Sequence, residues 1–226
     1  METCKHGFPL ALTGALEQYL INGGPIPRFQ RCLDSVSSDV FFDMVLRIQG
    51  GNGSTVLHEA AWNGDATFIQ NICRKLGSNE DRFILIENAD RFGQTPVHKA
   101  FAKGNTSAAG MLLEWLPLDK RAEVLQKKDK NERTAISLAV QGNKSEVVLC
   151  LKSIMSSNDI FQLVMDKDED QPSLIQLAKR LEHSNVEDNL LACLSAKDQL
   201  QVYASLETEG KIHCCIKQIF AKQTDI

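Results

Sequence analysis

The sequence predicts an all-α chain, a helical repeat solenoid with an extra short helix in each inter-repeat connection. Three observations carry this. A segment recurs at a constant step, each copy opens with a capping residue before helix-spaced apolar residues, and each connection holds a second capping signal.

The repeat starts are legible directly. Asp90, Asp129, Asp168 and Glu207 stand 39 residues apart, and one more start lies 40 residues earlier, near Gly50. This divides the chain into N-terminal capping helices (1–49), four repeats (50–206, starting near 50, 90, 129 and 168) and a truncated fifth repeat or C-terminal cap (207–226). In the N-terminal part, Leu12 to Ile21 reads as a helix, and Gly23-Gly24-Pro25 with Pro27 marks a turn. Ser38 to Leu46 reads as a further helix. Ile212 to Phe220 could close the C-terminal end.

Each repeat opens with a short helix. Thr95 caps it and Pro96 sits at the first helical position, where a missing N–H costs nothing. Thr55, Thr134 and Ser173 open the equivalent segments. Ala60 and Ala100 are small enough for neighbouring helices to approach, and Gly64 and Gly104 end the helix. A second helix carries Phe68, Ile69 and Ile72 in the first repeat and Met111, Leu112 and Leu113 in the second. Val147, Val148 and Leu151 serve in the third, and Val186, Leu190 and Leu191 in the fourth. The connection then reads S-x-x-D at Ser78–Asp81, Ser156–Asp159 and Ser195–Asp198, which opens a third helix. Pro117 stands in place of the serine in the second copy. In the fourth repeat, Lys179 occupies a place read as requiring a small residue, and Gln176 replaces histidine. That repeat is expected to be looser than the second, or to act as a cap.

The run Asp90-Arg91-Phe92-Gly93-Gln94-Thr95-Pro96-Val97-His98, with Ala100 and Gly104 following, resembles the ankyrin repeat signature. The resemblance covers about residues 50 to 215. It implies that His58 and His98 tie neighbouring turns together by hydrogen bonds. It also implies that a partner protein would be held by the loop tips and the exposed face of each first helix. Those helix positions are Glu59, Trp62, Asn63, Lys99, Ala102, Lys103, Gln141 and Arg180; the tips include Asn52, Arg91, Phe92, Lys130, Asn131 and Glu169. Trp62 and Phe92 stand out as aromatic anchors, although Trp62 could instead pack on the N-terminal cap. Lys99, Lys103 and Arg180 would make a positive strip. The step of 39 exceeds the usual period of about 33. Long repeats with a helical insert are similar to those of proteins that intracellular bacteria deliver into host cells. The Glu207–Glu209 pair loosely resembles an acidic export signal.

Composition narrows the function. A net charge of -4 leaves no basic excess for nucleic acid. No apolar run approaches the roughly 20 residues of a membrane span, and the first residues lack the long apolar stretch of a secretion signal. A cytoplasmic location is expected, host cytoplasm in the case of a delivered protein. The seven cysteines are scattered and read as reduced thiols. Cys214-Cys215 beside His213 lacks a second ligand pair, so no metal is expected. Asp166 to Asp170 lacks the glycine and distal glutamate of a calcium loop. No nucleophile with a base and no phosphate loop is present. The expectation is therefore a non-catalytic, cofactor-free interaction module, a monomer binding another protein as adaptor, scaffold or effector. The alternative is an interaction fragment of a larger protein. Thr224-Asp225-Ile226 could add a strand to a PDZ edge.

Overall fold

The computed structural model describes residues 9–23, 33–166 and 172–207. The turn at 24–27, Glu169, the 212–220 helix, the Cys214-Cys215 pair, Glu209 and the C-terminal tripeptide lie outside these residues. Helices α1 (Leu10–Asn22) and α2 (Ser38–Arg47) lie ahead of the first repeat. The first repeat holds α3 (Val56–Asn63), α4 (Ala66–Lys75) and α5 (Asn79–Glu87). The second holds α6 (Pro96–Lys103), α7 (Thr106–Glu114) and α8 (Leu118–Gln126). The third holds α9 (Ala135–Gln141), a second helix split at Cys150 into α10 (Ser145–Leu149) and α11 (Leu151–Ile154), and α12 (Ser157–Met165). The fourth holds α13 (Leu174–Arg180), α14 (Ser184–Ala192) and α15 (Ala196–Glu207).

Like packs on like. First helices stack as α3, α6, α9 and α13, and the second helices α4 on α7 and α10 on α14. Ala60, Ala100, Ala139 and Ala178 are fully buried where first helices meet. The fourth repeat therefore keeps its small residue, which corrects the reading of Lys179. Lys179 instead follows the buried series Ala61, Phe101 and Val140, and places its ammonium 3.3 Å from Glu187. A cation at a core position costs packing that a surface-paired carboxylate does not restore. Amide exchange in α13 is expected to run about tenfold faster than in α6, and equal protection factors would refute this.

The extra helices form as the serine signals predict. Ser78, Ser156 and Ser195 accept hydrogen bonds from the backbone N–H of Asp81, Asp159 and Asp198. Pro117 opens α8 without a side-chain cap. In α2 the cap is Ser37 rather than Ser38, whose hydroxyl donates to the Lys75 carbonyl at 3.0 Å. The third helix also closes its own repeat. Arg82 donates to the carbonyls of Cys73 and Leu76 at the C-terminal end of α4, where a helix has no N–H of its own to offer them. Arg121 does the same for Leu116 and reaches the Ile154 carbonyl in the next repeat. Gln199 donates to Leu191 and Leu194.

Neighbouring repeats are latched at the start of each second helix. Asn105 donates to the carbonyls of Ala61 and Trp62, at 2.9 and 2.8 Å. The Lys144 stem lies against Gly104, and a ring nitrogen of His183 lies 2.8 Å from the Val140 carbonyl. At the first of these positions Asp65 accepts from the Tyr19 hydroxyl of α1 at 3.3 Å, while Tyr19 stacks on Phe68.

Candidate protein-binding face

The turns and first helices share one face, called the inner face below. Its scaffold is a chain of buried polar links. The Thr55 backbone N–H donates to His58 Nδ1 at 3.1 Å, so the proton sits on Nε2, which donates to the Gln94 carbonyl at 3.0 Å. His98 repeats this from Thr95 to the Arg133 carbonyl, at 3.2 and 3.3 Å. Both histidines thus join a turn to the next. Burial pushes the His58 imidazole down to about 4, against weaker pulls from the Gln94 carbonyl and Asp90. His98 is shifted the same way for the same cause.

Each turn is closed by its aspartate. Asp90 Oδ1 accepts from Phe92 and Gln94 N–H, and Asp129 Oδ1 from Asn131 and Arg133 N–H. Successive turns are joined by backbone bonds from Arg91 N–H to the Asn52 carbonyl and from Lys130 N–H to the Phe92 carbonyl. The second oxygen of Asp129 receives Gln94 from the preceding repeat at 3.0 Å and Arg133 at 2.8 Å. In the preceding repeat the place of Gln94 is taken by Ser54, which is too short to reach Asp90. Lys99 turns to Asp90 instead, at 2.7 Å, and also donates to Gln94 Oε1 at 2.8 Å. Burial alone would raise the Asp90 carboxyl; Lys99, Gln94 and Phe92 overcome it and hold it below the usual carboxylate range.

Lys99 is therefore an internal strut, neutralised by Asp90, and not part of an open positive strip. Glu59, Trp62 and Lys99 border one groove of about 190 Å³ together with Asn52, Ser54 and His58. Trp62 is 42% exposed and carries the Lys103 ammonium 3.9 Å over its ring. Phe92, 55% exposed at its turn tip, has Lys99 Nζ 5.9 Å from its ring centre. Asn63 is exposed at the end of α3, its amide close to Gly23. Five of the eight expected residues, Glu59, Trp62, Phe92, Lys99 and Lys103, are thus linked in one cluster across the first two repeats. Gln141 and Arg180 are exposed at the ends of α9 and α13, apart from that cluster. Gln141 borders a second cleft of about 400 Å³ with aliphatic walls from Ile136, Leu163, Leu174 and Leu177.

Sequence reasoning missed Ser54 and the aliphatic cleft. The signal for Ser54 lay in the aligned series Ser54, Gln94 and Arg133, where one short residue stands against two long ones. Burial pushes Cys73 and Cys150 thiols up to about 12, which suits inert thiols rather than nucleophiles. Among the described residues no group of three His, Cys, Asp or Glu side chains could hold a metal ion, and no helix is long and apolar enough to cross a membrane.

No curated protein matches the chain. Residues 57–162 match the family model described as ankyrin repeats (3 copies), so this part of the chain is built of ankyrin repeats, which are generally protein–protein interaction modules.

Proposed function

We propose that the chain is a non-catalytic binding module, acting as an adaptor or scaffold, that holds a partner protein on the inner face of its first repeats. The observation that carries this reading is the cluster of Trp62, Phe92, Lys99, Lys103 and Glu59. Two half-exposed aromatic rings each carry a lysine ammonium, Lys103 over Trp62 and Lys99 beside Phe92, and Lys99 is itself held by Asp90. Rigid aromatics lose little entropy on docking and dominate interface energetics. The 39-residue step with its added helix supports a narrower reading, a delivered bacterial protein with a host partner.

An affinity capture from eukaryotic lysate tests both. Wild type is compared with the Trp62→Ala, Phe92→Ala double variant, each shown folded by circular dichroism. Two lost anchors of about 2 kcal/mol each should reduce capture of a specific partner more than tenfold. Capture that survives the substitutions would place the partner elsewhere on the chain.

A further inference from the structure

We propose that the groove between Glu59, Ser54 and Trp62 is an arginine-side-chain receptor, taking one guanidinium from the partner. This rests on the reading of the inner face as the partner site. Glu59 is half-buried, and among the described residues its carboxylate has neither a hydrogen bond nor an ion pair. The nearest cation, Lys99, is committed to Asp90 and Gln94. The Ser54 hydroxyl is buried and without a hydrogen-bond partner, although the side chains at its place in the next two repeats, Gln94 and Arg133, both bind Asp129. The groove thus presents a carboxylate that makes no hydrogen bond or ion pair, an unused hydroxyl and an aromatic ring around about 190 Å³, with the Asp90-bound Lys99 on its wall and Lys103 over the Trp62 ring.

Unmet buried polar groups are costly in a folded protein, and an arrangement of several acceptors calls for a ligand with several donors. The volume is below the roughly 300 Å³ at which small-molecule pockets begin, and suits a single side chain. A guanidinium matches a carboxylate through two parallel N–H bonds, keeps donors for the hydroxyl, and lies flat on an aromatic ring. An ammonium offers neither the fork nor the plane. Burial pushes the Glu59 carboxyl up, with Lys99 pulling it down.

The test pans random displayed dodecapeptides on the folded full chain. Recovered binders are then measured against wild type, Glu59→Gln, Ser54→Ala and the Trp62→Ala, Phe92→Ala double variant. Each binder is also made with its arginines replaced by citrulline, which keeps the shape and removes the charge. Enrichment of arginine, with about tenfold weaker binding for citrulline peptides and for Glu59→Gln, supports the proposal. Ser54→Ala removes only an unpartnered hydroxyl, so it keeps the fold and should weaken arginine peptides by a few fold. Binders lost in the aromatic double variant but indifferent to citrulline and to Glu59→Gln would overturn the arginine receptor and leave the inner-face reading intact. Binders indifferent to every substitution would overturn both.

Discussion

Replacing His58 with alanine is expected to cost about 4 kcal/mol of folding stability, measured by urea unfolding at pH 7. The imidazole is fully buried and joins Thr55 to the Gln94 carbonyl of the next turn. Its removal strands a buried N–H and a buried carbonyl, at about 1–3 kcal/mol each, and leaves a cavity besides. The same residue sets a pH dependence. Its folded value of about 4 lies below the ordinary 6.5, so the unfolded chain binds more protons between those limits. The stability from neutral His58 is fully present above about pH 6.5 and is lost as pH falls toward 4. The loss approaches roughly 3 kcal/mol for a shift of this size. His98 adds in the same direction. The Asp129 carboxyl is held down to about 2, where hydrogen bonds from Arg133 and Gln94 overcome burial, so its contribution is lost only below about pH 4. Wild type should therefore weaken between pH 6.5 and 4.5, and His58→Ala should weaken less over that interval. Parallel losses in the two proteins would refute the assignment.

Gly93→Val is expected to destabilise by about 3 kcal/mol or more. Gly93 has φ of +77°, where a side chain is strained by about 1–2 kcal/mol. An added Cβ would stand 2.9 Å from the Lys130 backbone nitrogen and 3.3 Å from Asp129 backbone atoms. Those atoms belong to the next turn and are fixed by the Lys130 N–H bond to the Phe92 carbonyl, so they cannot yield without breaking it. Glu132, which holds the same place one repeat later, has φ of +59°. The strain alone is therefore tolerable, and the close approach of the next turn is what demands glycine at 93. Glu132→Gly serves as the control, with stability expected to change little or rise slightly. A Gly93→Val protein as stable as wild type would show that the turns are not in contact in solution.

The repeat starts, the capping residues and the added third helix were legible because each rests on local chemistry: a hydroxyl or carboxylate close in sequence to the N–H it binds. Pairings that depend on which of two side chains is longer were not legible. The diversion of Lys99 to Asp90 follows from the shortness of Ser54 a whole repeat earlier in contact, and no periodicity reports that. The reach of Arg82 and Arg121 back to carbonyls was hidden because arginine on a short helix reads equally well as solvated. The register of the fourth repeat was misread by one residue, although counting five from Ser173, as from Thr55 to Ala60 and from Thr95 to Ala100, already arrives at Ala178. The candidate site was legible as positions on the first helices, while the groove, which needs Ser54, was not.

The latches at the second-helix starts differ at every junction: a carboxylate at Asp65, an amide at Asn105, an aliphatic stem at Lys144 and an imidazole at His183. Two of them nonetheless meet the same place: Asn105 and His183 both reach the carbonyl six residues past the capping hydroxyl, at Ala61 and Val140. An Asp65-type latch set on the carbonyls that Asn105 serves would bring acceptor against acceptor. The carboxylate is the part that cannot be moved: the joint at Asp65 is cut for the α1 hydroxyl, and those at Asn105 and His183 for a carbonyl. A first repeat copied into a later place would carry the right helices and the wrong key, an acceptor where a donor is needed.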